Sequence, residues 1–316
     1  MMGEPVTLPG LARVAVCGGT HGNELSGLYV VREMERRRRE EGDKVRTVSL
    51  TLVVSNPRAV EVCRRYVETD MNRCFTNAVL SSPVSDTTPY EVRRAQELNT
   101  LLGPKCSAQA VDLLCDLHNT TSNMGLCFIC NSSTDWTILH IYKYIQSKLT
   151  DAPVRLLLID IPLADSYSLD SMGKHGFSLE VGPQPHGVIR ADIFNIMKQG
   201  VDLFLEWIDQ FHSGVVFESF EVDAYVRKRS MDYPREPETR QITAAVHPQL
   251  QDRDFTLLNP GNPVFLTFSG ETVRFDGEES LYPFFINECA YYEKGIAFHL
   301  AEKKTLRVPS VKVKKS

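Results

Sequence analysis

The chain has 316 residues, of which 42% are hydrophobic and 24% are charged, and its formal net charge is -5. This length and composition allow a large buried core and favour one large domain followed by a smaller one. Because the chain lacks the basic field that nucleic-acid binding requires, we expect no nucleic-acid partner. No apolar run approaches the roughly 18 residues of a membrane span, and residues 1–10 do not resemble a signal peptide. The scattered cysteines show no disulfide spacing, so we expect a cytoplasmic protein.

Hydrophobic patterns alternate between strand and helix along the first two thirds of the chain, which predicts an α/β fold. Strand-like runs occupy residues 11–17, 47–54, 110–117, 125–130, 154–159 and 177–181. Helix-like patterns occupy residues 24–39, 58–66, 90–102, 136–149 and 191–212. Beyond Gly214, short runs broken by Pro, Gly, Asp and Asn predict a β-rich region. We therefore predict domains at residues 1–214 and 215–316, and we interpret the Lys-rich residues 303–316 as a solvated end.

A Gly-rich turn at residues 18–24 places His21 and Glu24 directly after a predicted strand. By itself, this pair is a weak signal, because His and Glu are common in polar turns. His118 lies at the end of another predicted strand, and such strand ends converge at the carboxyl edge of an open α/β sheet. Two His and one Glu form a ligand set of catalytic zinc sites, so the sequence predicts such a site. Asp116 is suited to orient one of the imidazoles.

Glu180 interrupts an otherwise apolar strand that ends at a Gly-Pro turn. An isolated buried carboxylate costs free energy, so Glu180 is either solvated at a strand end or has a chemical task. Beside zinc, that task is to take a proton from water and pass it to a leaving nitrogen.

Two further groupings are ambiguous on their own. Arg65, Asn72 and Arg73 lie in a short polar segment. Their donors suit a substrate carboxylate or a developing oxyanion. The same pattern is equally consistent with solvent-exposed arginines at the end of a helix. Cys127 and Cys130 suggest a metal or redox pair, but residues three apart on a strand point to opposite faces. We interpret these two thiols as core residues.

Several longer motifs resemble the aspartoacylase family of amidohydrolases. The resemblance runs through nearly the whole chain and is strongest at residues 18–25, 56–60, 70–73, 89–97, 116–123, 180–185, 247–252 and 287–294. It implies a fold like that of zinc carboxypeptidases, with a mixed sheet flanked by helices. A smaller β-rich C-terminal domain would contribute to the active-site channel.

The resemblance also implies roles for individual residues. One zinc ion per subunit would be held by His21, Glu24 and His118, with Glu180 as general base and acid and Arg65 supporting the acyl carbonyl oxygen. The substrate would be bound by Arg65, Asn72, Arg73, Glu180 and Tyr291. The family further suggests a cytoplasmic homo-oligomer with some peripheral association at the apical plasma membrane.

One departure from the family pattern concerns the substrate. Aspartate-selective members are expected to grip the substrate's side-chain carboxylate with a Tyr and an Arg, where this chain has Ser166 and Asp170. An acidic residue there would repel N-acetylaspartate. We therefore expect hydrolysis of N-acetyl amino acids with aromatic or neutral side chains, including S-conjugates of N-acetylcysteine (mercapturic acids). The alternatives are an aspartoacylase, a carboxypeptidase and a non-catalytic zinc-binding scaffold.

Overall fold

Helices and a large β-sheet make up the structure, a computed structural model that describes residues 4–42 and 47–314. The helices are α1 (Leu25–Glu41), α2 (Pro57–Glu61), α3 (Asn77–Leu80), α4 (Tyr90–Leu102), α5 (Trp136–Lys148) and α6 (Ala191–His212). The strands are β1 (Val6–Leu8), β2 (Arg13–Gly18), β3 (Ser49–Val54), β4 (Leu113–Asn119), β5 (Gly125–Cys130), β6 (Val154–Leu158), β7 (His175–Gly182), β8 (Phe220–Met231), β9 (Ala244–Val246), β10 (Pro263–Thr267), β11 (Thr272–Arg274), β12 (Tyr282–Phe284), β13 (Phe298–Val308) and β14 (Val311–Val313).

Nine strands of the described chain form one mixed sheet, in the order β12-β13-β8-β6-β5-β7-β4-β2-β3. The run from β3 through β2 and β4 to β7 is parallel. Strand β5 runs antiparallel to β7, whereas β6 and β8 continue parallel to β5. The predicted α/β class, with a mixed sheet flanked by helices and a β-rich C-terminal region, is confirmed. The parallel run brings the carboxyl ends of β2, β4 and β7 to the same edge of the sheet.

One face of the sheet is covered by the apolar sides of α1, α5 and α6. The ring of Phe177 on β7 stacks on Phe128 of β5 at 4.2 Å between centroids and meets Phe204 of α6 edge-on at 5.6 Å. Cys130 belongs to this core, whereas Cys127 packs in a second cluster on the opposite face. Both thiols are free and buried, as predicted. On the opposite face, α4 packs against β2 and β4.

The C-terminal third is β-rich and divides between two sheets. Strands β8, β13 and β12 extend the large sheet, and β9, β10 and β11 form a separate three-stranded sheet. The large sheet contains strands from both sides of Gly214. The domain boundary at Gly214 stays a prediction. Within residues 4–42 and 47–314, no helix is long and apolar enough to span a bilayer.

The interpretation of residues 303–316 as a solvated end is wrong for the part that is described. Strand β13 runs to Val308, and β14 pairs in parallel with β1. The charged second half of β13 lies along the edge of the sheet, where Lys303 pairs with Asp223 of β8 at 3.0 Å. Charged side chains are common on such edges because they oppose pairing with another chain. Residues 315–316 lie outside the described residues.

Candidate active site

The turn after β2 has a backbone that only small residues permit. Gly19 has a φ of +69°, a conformation that L side chains rarely adopt. A Cβ atom on Gly22 would lie 2.0 Å from the backbone carbon of Ala59, so α2 packs directly on the turn. Glu24 occupies the N-cap position of α1, without a side-chain capping bond. The turn thereby holds His21 and Glu24 against the end of the neighbouring strand β4, which carries His118.

His21, Glu24 and His118 converge into one cluster in which each residue is 3% exposed. Their potential ligand atoms all lie within 4.8 Å of one another. The Nδ1 atom of His21 is 2.8 Å from one carboxylate oxygen of Glu24, and the Nδ1 atom of His118 is 2.9 Å from the other. Two imidazole nitrogens and one carboxylate oxygen are suitable donors for a transition-metal ion, so this set fits a metal site.

Each of the two imidazoles also contacts a carboxylate through its Nε2 atom. Asp116 lies 2.7 Å from His118, as the sequence suggested, and its other oxygen accepts a hydrogen bond from Thr20 at 2.7 Å. Asp70 lies 3.1 Å from His21, a contact that local sequence spacing did not reveal. Carboxylates in these positions orient metal-bound imidazoles and raise their basicity. The arrangement supports Nδ1 as the metal-facing atom of both rings.

Glu180 lies on β7 directly beside His118 in the parallel register. Its side chain lines the same cleft as the three potential ligands. Burial raises the pKa of Glu180 well above its ordinary value, and the charge of the nearby Glu24 carboxylate raises it further. Among the described residues, no hydrogen-bond donor contacts the Glu180 carboxylate, which leaves it free to exchange a proton.

Arg65 places a guanidinium next to the cluster. Its Nη1 atom donates to Glu24 at 3.1 Å, and its Nη2 atom donates to Asp70 at 3.3 Å. Although burial opposes the effect, the charges of Asp70 and Glu24 raise the pKa of Arg65, so the guanidinium stays charged. A fixed positive charge here could stabilise an oxyanion that forms in the cleft.

The other three predicted substrate-binding residues line the same cleft. The amide nitrogen of Asn72 is 3.2 Å from His118 Nε2, and its amide oxygen accepts a hydrogen bond from Leu169 N. The guanidinium of Arg73 lies over the ring of Tyr167 at 4.5 Å. Tyr291 reaches the cleft from the C-terminal region. The structure thus brings every predicted site residue together, although their roles stay predictions.

The segment that carries Tyr291 is attached to the loop that follows His118. The buried carboxylate of Glu288 accepts hydrogen bonds from the hydroxyl of Thr120, from the backbone nitrogen of Thr121 at 2.7 Å and from Ala290 N at 2.9 Å. The hydroxyl of Thr121 in turn accepts a bond from Cys289 N at 3.0 Å. These bonds connect the C-terminal wall of the cleft to the strand that supplies His118.

The cleft has a cavity volume of about 220 Å³ and walls of different chemistry. Ser166 and Asp170 line one wall. Burial raises the pKa of Asp170 to about 6. An apolar wall, which local motifs did not indicate, is formed by Ile129, Leu157, Ile159, Ile161, Phe284, Phe285 and Ile296. Ile129, Leu157 and Phe284 lie on three different strands, and the other four residues lie outside the strands.

Comparisons with known proteins agree with this geometry. Residues 11–208 match the model of the succinylglutamate desuccinylase/aspartoacylase catalytic domain, and residues 220–303 match that of the AstE/AspA barrel-sandwich hybrid domain. The chain is 63% identical to the zebrafish (Danio rerio) N-acyl-aromatic-L-amino acid amidohydrolase (carboxylate-forming) B, covering 98% of this chain and 99% of that one. It is 47% identical to the human protein named N-acyl-aromatic-L-amino acid amidohydrolase (carboxylate-forming), covering 98% and 97%.

The fold is also that of a solved relative. The crystal structure of murine aminoacylase 3 matches with a TM-score of 0.91 and 44% sequence identity, covering 96% of this chain and 99% of that one. Two family domains together span most of the described residues. The chain therefore belongs to the succinylglutamate desuccinylase/aspartoacylase family.

Proposed function

We propose that this protein is a zinc-dependent amidohydrolase that cleaves N-acyl amino acids with aromatic or neutral side chains to a carboxylate and the free amino acid. The observation that carries the proposal is the convergence of His21, Glu24 and His118 beside Glu180 in one cleft. The names of the relatives with 47% and 63% identity support this substrate class.

The metal would be held by His21, Glu24 and His118, one ion per subunit. A bound zinc ion supplies Lewis-acid polarisation of the acyl carbonyl and lowers the pKa of water. The paired carboxylates Asp70 and Asp116 support this assignment, because they hold both imidazoles with Nδ1 toward the same point. Zinc is our choice among the divalent ions because a two-His, one-Glu set is typical of its catalytic sites.

Glu180 would carry the proton in both halves of the reaction. In the ionised form its carboxylate takes a proton from the attacking water, and in the protonated form it donates that proton to the leaving amine. Burial and the neighbouring Glu24 raise its pKa, and a raised pKa suits a carboxyl group that must both accept and donate a proton near neutral pH.

Arg65 would stabilise negative charge on the acyl oxygen, and Asn72, Arg73 and Tyr291 would bind the rest of the substrate. Arg73 carries the planar donor fork that matches the α-carboxylate of an amino acid. The amide oxygen of Asn72 accepts a hydrogen bond from Leu169 N. The amide nitrogen of Asn72 is therefore the group that faces His118 and the cleft.

The walls of the cleft support neutral over acidic substrates. Ile129, Leu157 and Ile161 offer apolar surface to an aromatic or thioether side chain, as in N-acetyltyrosine or an S-conjugate of N-acetylcysteine. Asp170 lies in the cleft wall, where its charge would repel the side-chain carboxylate of N-acetylaspartate. Cytoplasmic location, homo-oligomeric assembly and peripheral membrane association stay predictions from the family resemblance.

The test is a substrate panel on zinc-loaded protein, with Glu180→Gln as the variant and Glu97→Gln on α4 as the matched control. We expect N-acetyltyrosine to be hydrolysed with higher kcat/KM than N-acetylaspartate. Glu180→Gln should keep stoichiometric zinc but lose at least about a thousandfold in kcat, since it removes the proton carrier. Retained turnover would remove Glu180 from the mechanism.

The panel also separates the alternatives. Preference for N-acetylaspartate would identify an aspartoacylase, and release of a C-terminal amino acid from a blocked dipeptide would identify a carboxypeptidase. Zinc binding without hydrolysis of any substrate would favour a non-catalytic scaffold.

A further inference from the structure

The cleft continues well beyond the metal cluster along one face of the large sheet. Glu180 on β7, Ile129 on β5, Leu157 on β6, Arg227 on β8 and His299 on β13 all line it. Cross-strand pairing places these side chains on the same face: Cys127 lies opposite Glu180, Ile129 opposite Leu157, and Leu157 opposite Tyr225. Residues two apart on a strand share a face, so Ile129 follows Cys127 and Arg227 follows Tyr225. The floor of the cleft is therefore a continuous row of side chains.

The strand order gives the width of this floor across the strands, and the register displaces its two ends along the strands as well. From β7 the floor crosses β5 and β6 before it reaches β8. Three strand spacings of roughly 4.8 Å each separate the Glu180 strand from the Arg227 strand by about 14 Å. The intervening side chains, Ile129 and Leu157, are apolar. A substrate that lies along this floor meets charge at both ends and apolar surface between them.

The far end of the floor presents hydrogen-bond donors. Arg227 Nη2 donates to the Ser230 hydroxyl at 3.3 Å, and Ser230 Oγ lies 2.8 Å from His299 Nδ1. Burial lowers the pKa of His299 to about 3, and the charges of Arg227 and Lys294 lower it further, so the imidazole is neutral. Since Ser230 accepts from Arg227, its own proton is available to His299 Nδ1. With Ser230 as the donor to Nδ1, the neutral imidazole carries its proton on Nε2.

This donor set is not neutralised by the protein. In the part of the chain that the structure describes, Arg227 has no carboxylate within ion-pairing distance, and His299 Nε2 has no hydrogen-bond partner. Lys294, the other cation near His299, pairs instead with Asp70 at 3.3 Å. The His299 ring is held edge-on against Tyr291, at 5.2 Å between centroids, which keeps it beside the expected substrate-binding residue.

We propose that Arg227, with the Ser230–His299 pair, forms a distal subsite that binds an anionic or hydrogen-bond-accepting group at the end of a long substrate side chain. The proposal rests on the proposed function, because it takes the metal end of the cleft as the place where the acyl group is cleaved. The chemical class is N-acyl amino acids whose side chain carries a terminal carboxylate beyond an aromatic or thioether spacer.

The subsite gives the cleft opposite charge preferences at two distances. A short acidic side chain meets Asp170 near the metal cluster, whereas a long one passes the apolar floor and reaches Arg227. Selectivity against acidic side chains is then a matter of length as well as charge.

The experiment compares N-acetyl-S-(4-carboxybenzyl)-L-cysteine with its neutral analogue N-acetyl-S-benzyl-L-cysteine. The variant is Arg227→Met, and the matched control is Arg229→Met, two residues along β8, whose guanidinium packs over Phe275 at 5.7 Å. Because Arg227 is exposed, we expect Arg227→Met to lower kcat/KM for the carboxybenzyl substrate by about three- to fivefold, the effect of losing a solvent-exposed ion pair. The benzyl substrate should change by less than about twofold, and Arg229→Met should change neither.

Binding of the product amino acids gives a readout that is independent of turnover. By calorimetry, S-(4-carboxybenzyl)-L-cysteine should lose affinity in Arg227→Met while S-benzyl-L-cysteine does not. Equal losses for both compounds, or no loss for either, would overturn the distal subsite. If the unmodified enzyme hydrolyses neither substrate and also fails on N-acetyltyrosine, the proposed function fails instead, so the two failures are distinct.

Discussion

Asp70 connects three groups of the site, and replacing it with Asn tests how the metal cluster is held. One carboxylate oxygen lies 3.1 Å from His21 Nε2, and the other lies 3.3 Å from both Arg65 Nη2 and Lys294 Nζ. Although burial works against it, bonding to His21 and the charges of His21 and Arg65 hold the pKa of Asp70 below its ordinary range. Asp70→Asn keeps the shape but removes the charge that all three partners share.

Two losses are expected from this substitution. Loss of a carboxylate that orients a metal-bound imidazole costs roughly 10- to 100-fold in metal affinity, or about 1.4 to 2.8 kcal/mol. Loss of the bond to Arg65 lowers folding stability by about 1.5 to 3 kcal/mol, because Arg65 keeps its bond to Glu24 at 3.1 Å. The assays are zinc competition against a chromogenic chelator and urea unfolding of the metal-free protein.

Asp135→Asn is the matched control. Asp135 lies 2.8 Å from His175 Nδ1, a His–Asp pair of the same kind, and neither residue lines the cleft. We expect this control to lose stability without losing zinc affinity. If folded Asp70→Asn binds zinc within about twofold of the parent, Asp70 does not orient His21 and the reasoning is wrong.

Three further predictions concern selectivity, pH and packing. Asp170→Arg should raise the ratio of kcat/KM for N-acetylaspartate to that for N-acetyltyrosine by at least about tenfold. The same substitution at the exposed Asp165 should leave the ratio unchanged. An unchanged ratio in Asp170→Arg would show that Asp170 does not select the substrate. Burial raises the pKa of Asp254 from 3.8 to about 7, so the folded state holds this proton more tightly and stability falls as pH rises from 4 to 7. Asp254→Asn should remove up to about 1.4 kcal/mol per pH unit from that slope, measured by urea unfolding across the interval, and parallel pH profiles would contradict it. Phe177→Ala should lower the free energy of unfolding by about 3 to 5 kcal/mol, because the ring is fully buried between Phe128 and Phe204. A loss below about 1 kcal/mol would mean that neighbouring side chains fill the cavity.

The sequence was most informative where residues next to each other in the chain stay together in space. His21 and Glu24 share one turn, and the apolar runs that end at His118 and Glu180 indicated strands whose carboxyl ends meet. The parallel pairing of β4 with β7 then brings His118 beside Glu180. The α/β class followed from the same alternation of apolar runs.

Contacts between distant segments could not be predicted in this way. Asp70 reaches His21 across 49 residues, and no local spacing indicates that contact. The Arg227–Ser230–His299 chain depends on a register shift between β8 and β13 near Leu300 and Ala301. The second half of β13 was missed because it lies at the sheet edge, where the charged residues that suggested a solvated end are allowed.

The continuous sheet beneath the cleft has a consequence for how substrate length is selected. Because hydrogen bonds fix the spacing between strands, the distance from the Glu180 strand to the Arg227 strand is a property of the backbone and does not depend on any one side chain. The sheet thus fixes the separation between the strand of the metal cluster and the strand of the proposed distal subsite. With the proposed distal subsite, the preferred substrate length depends on this strand spacing and on the reach of the Arg227 side chain.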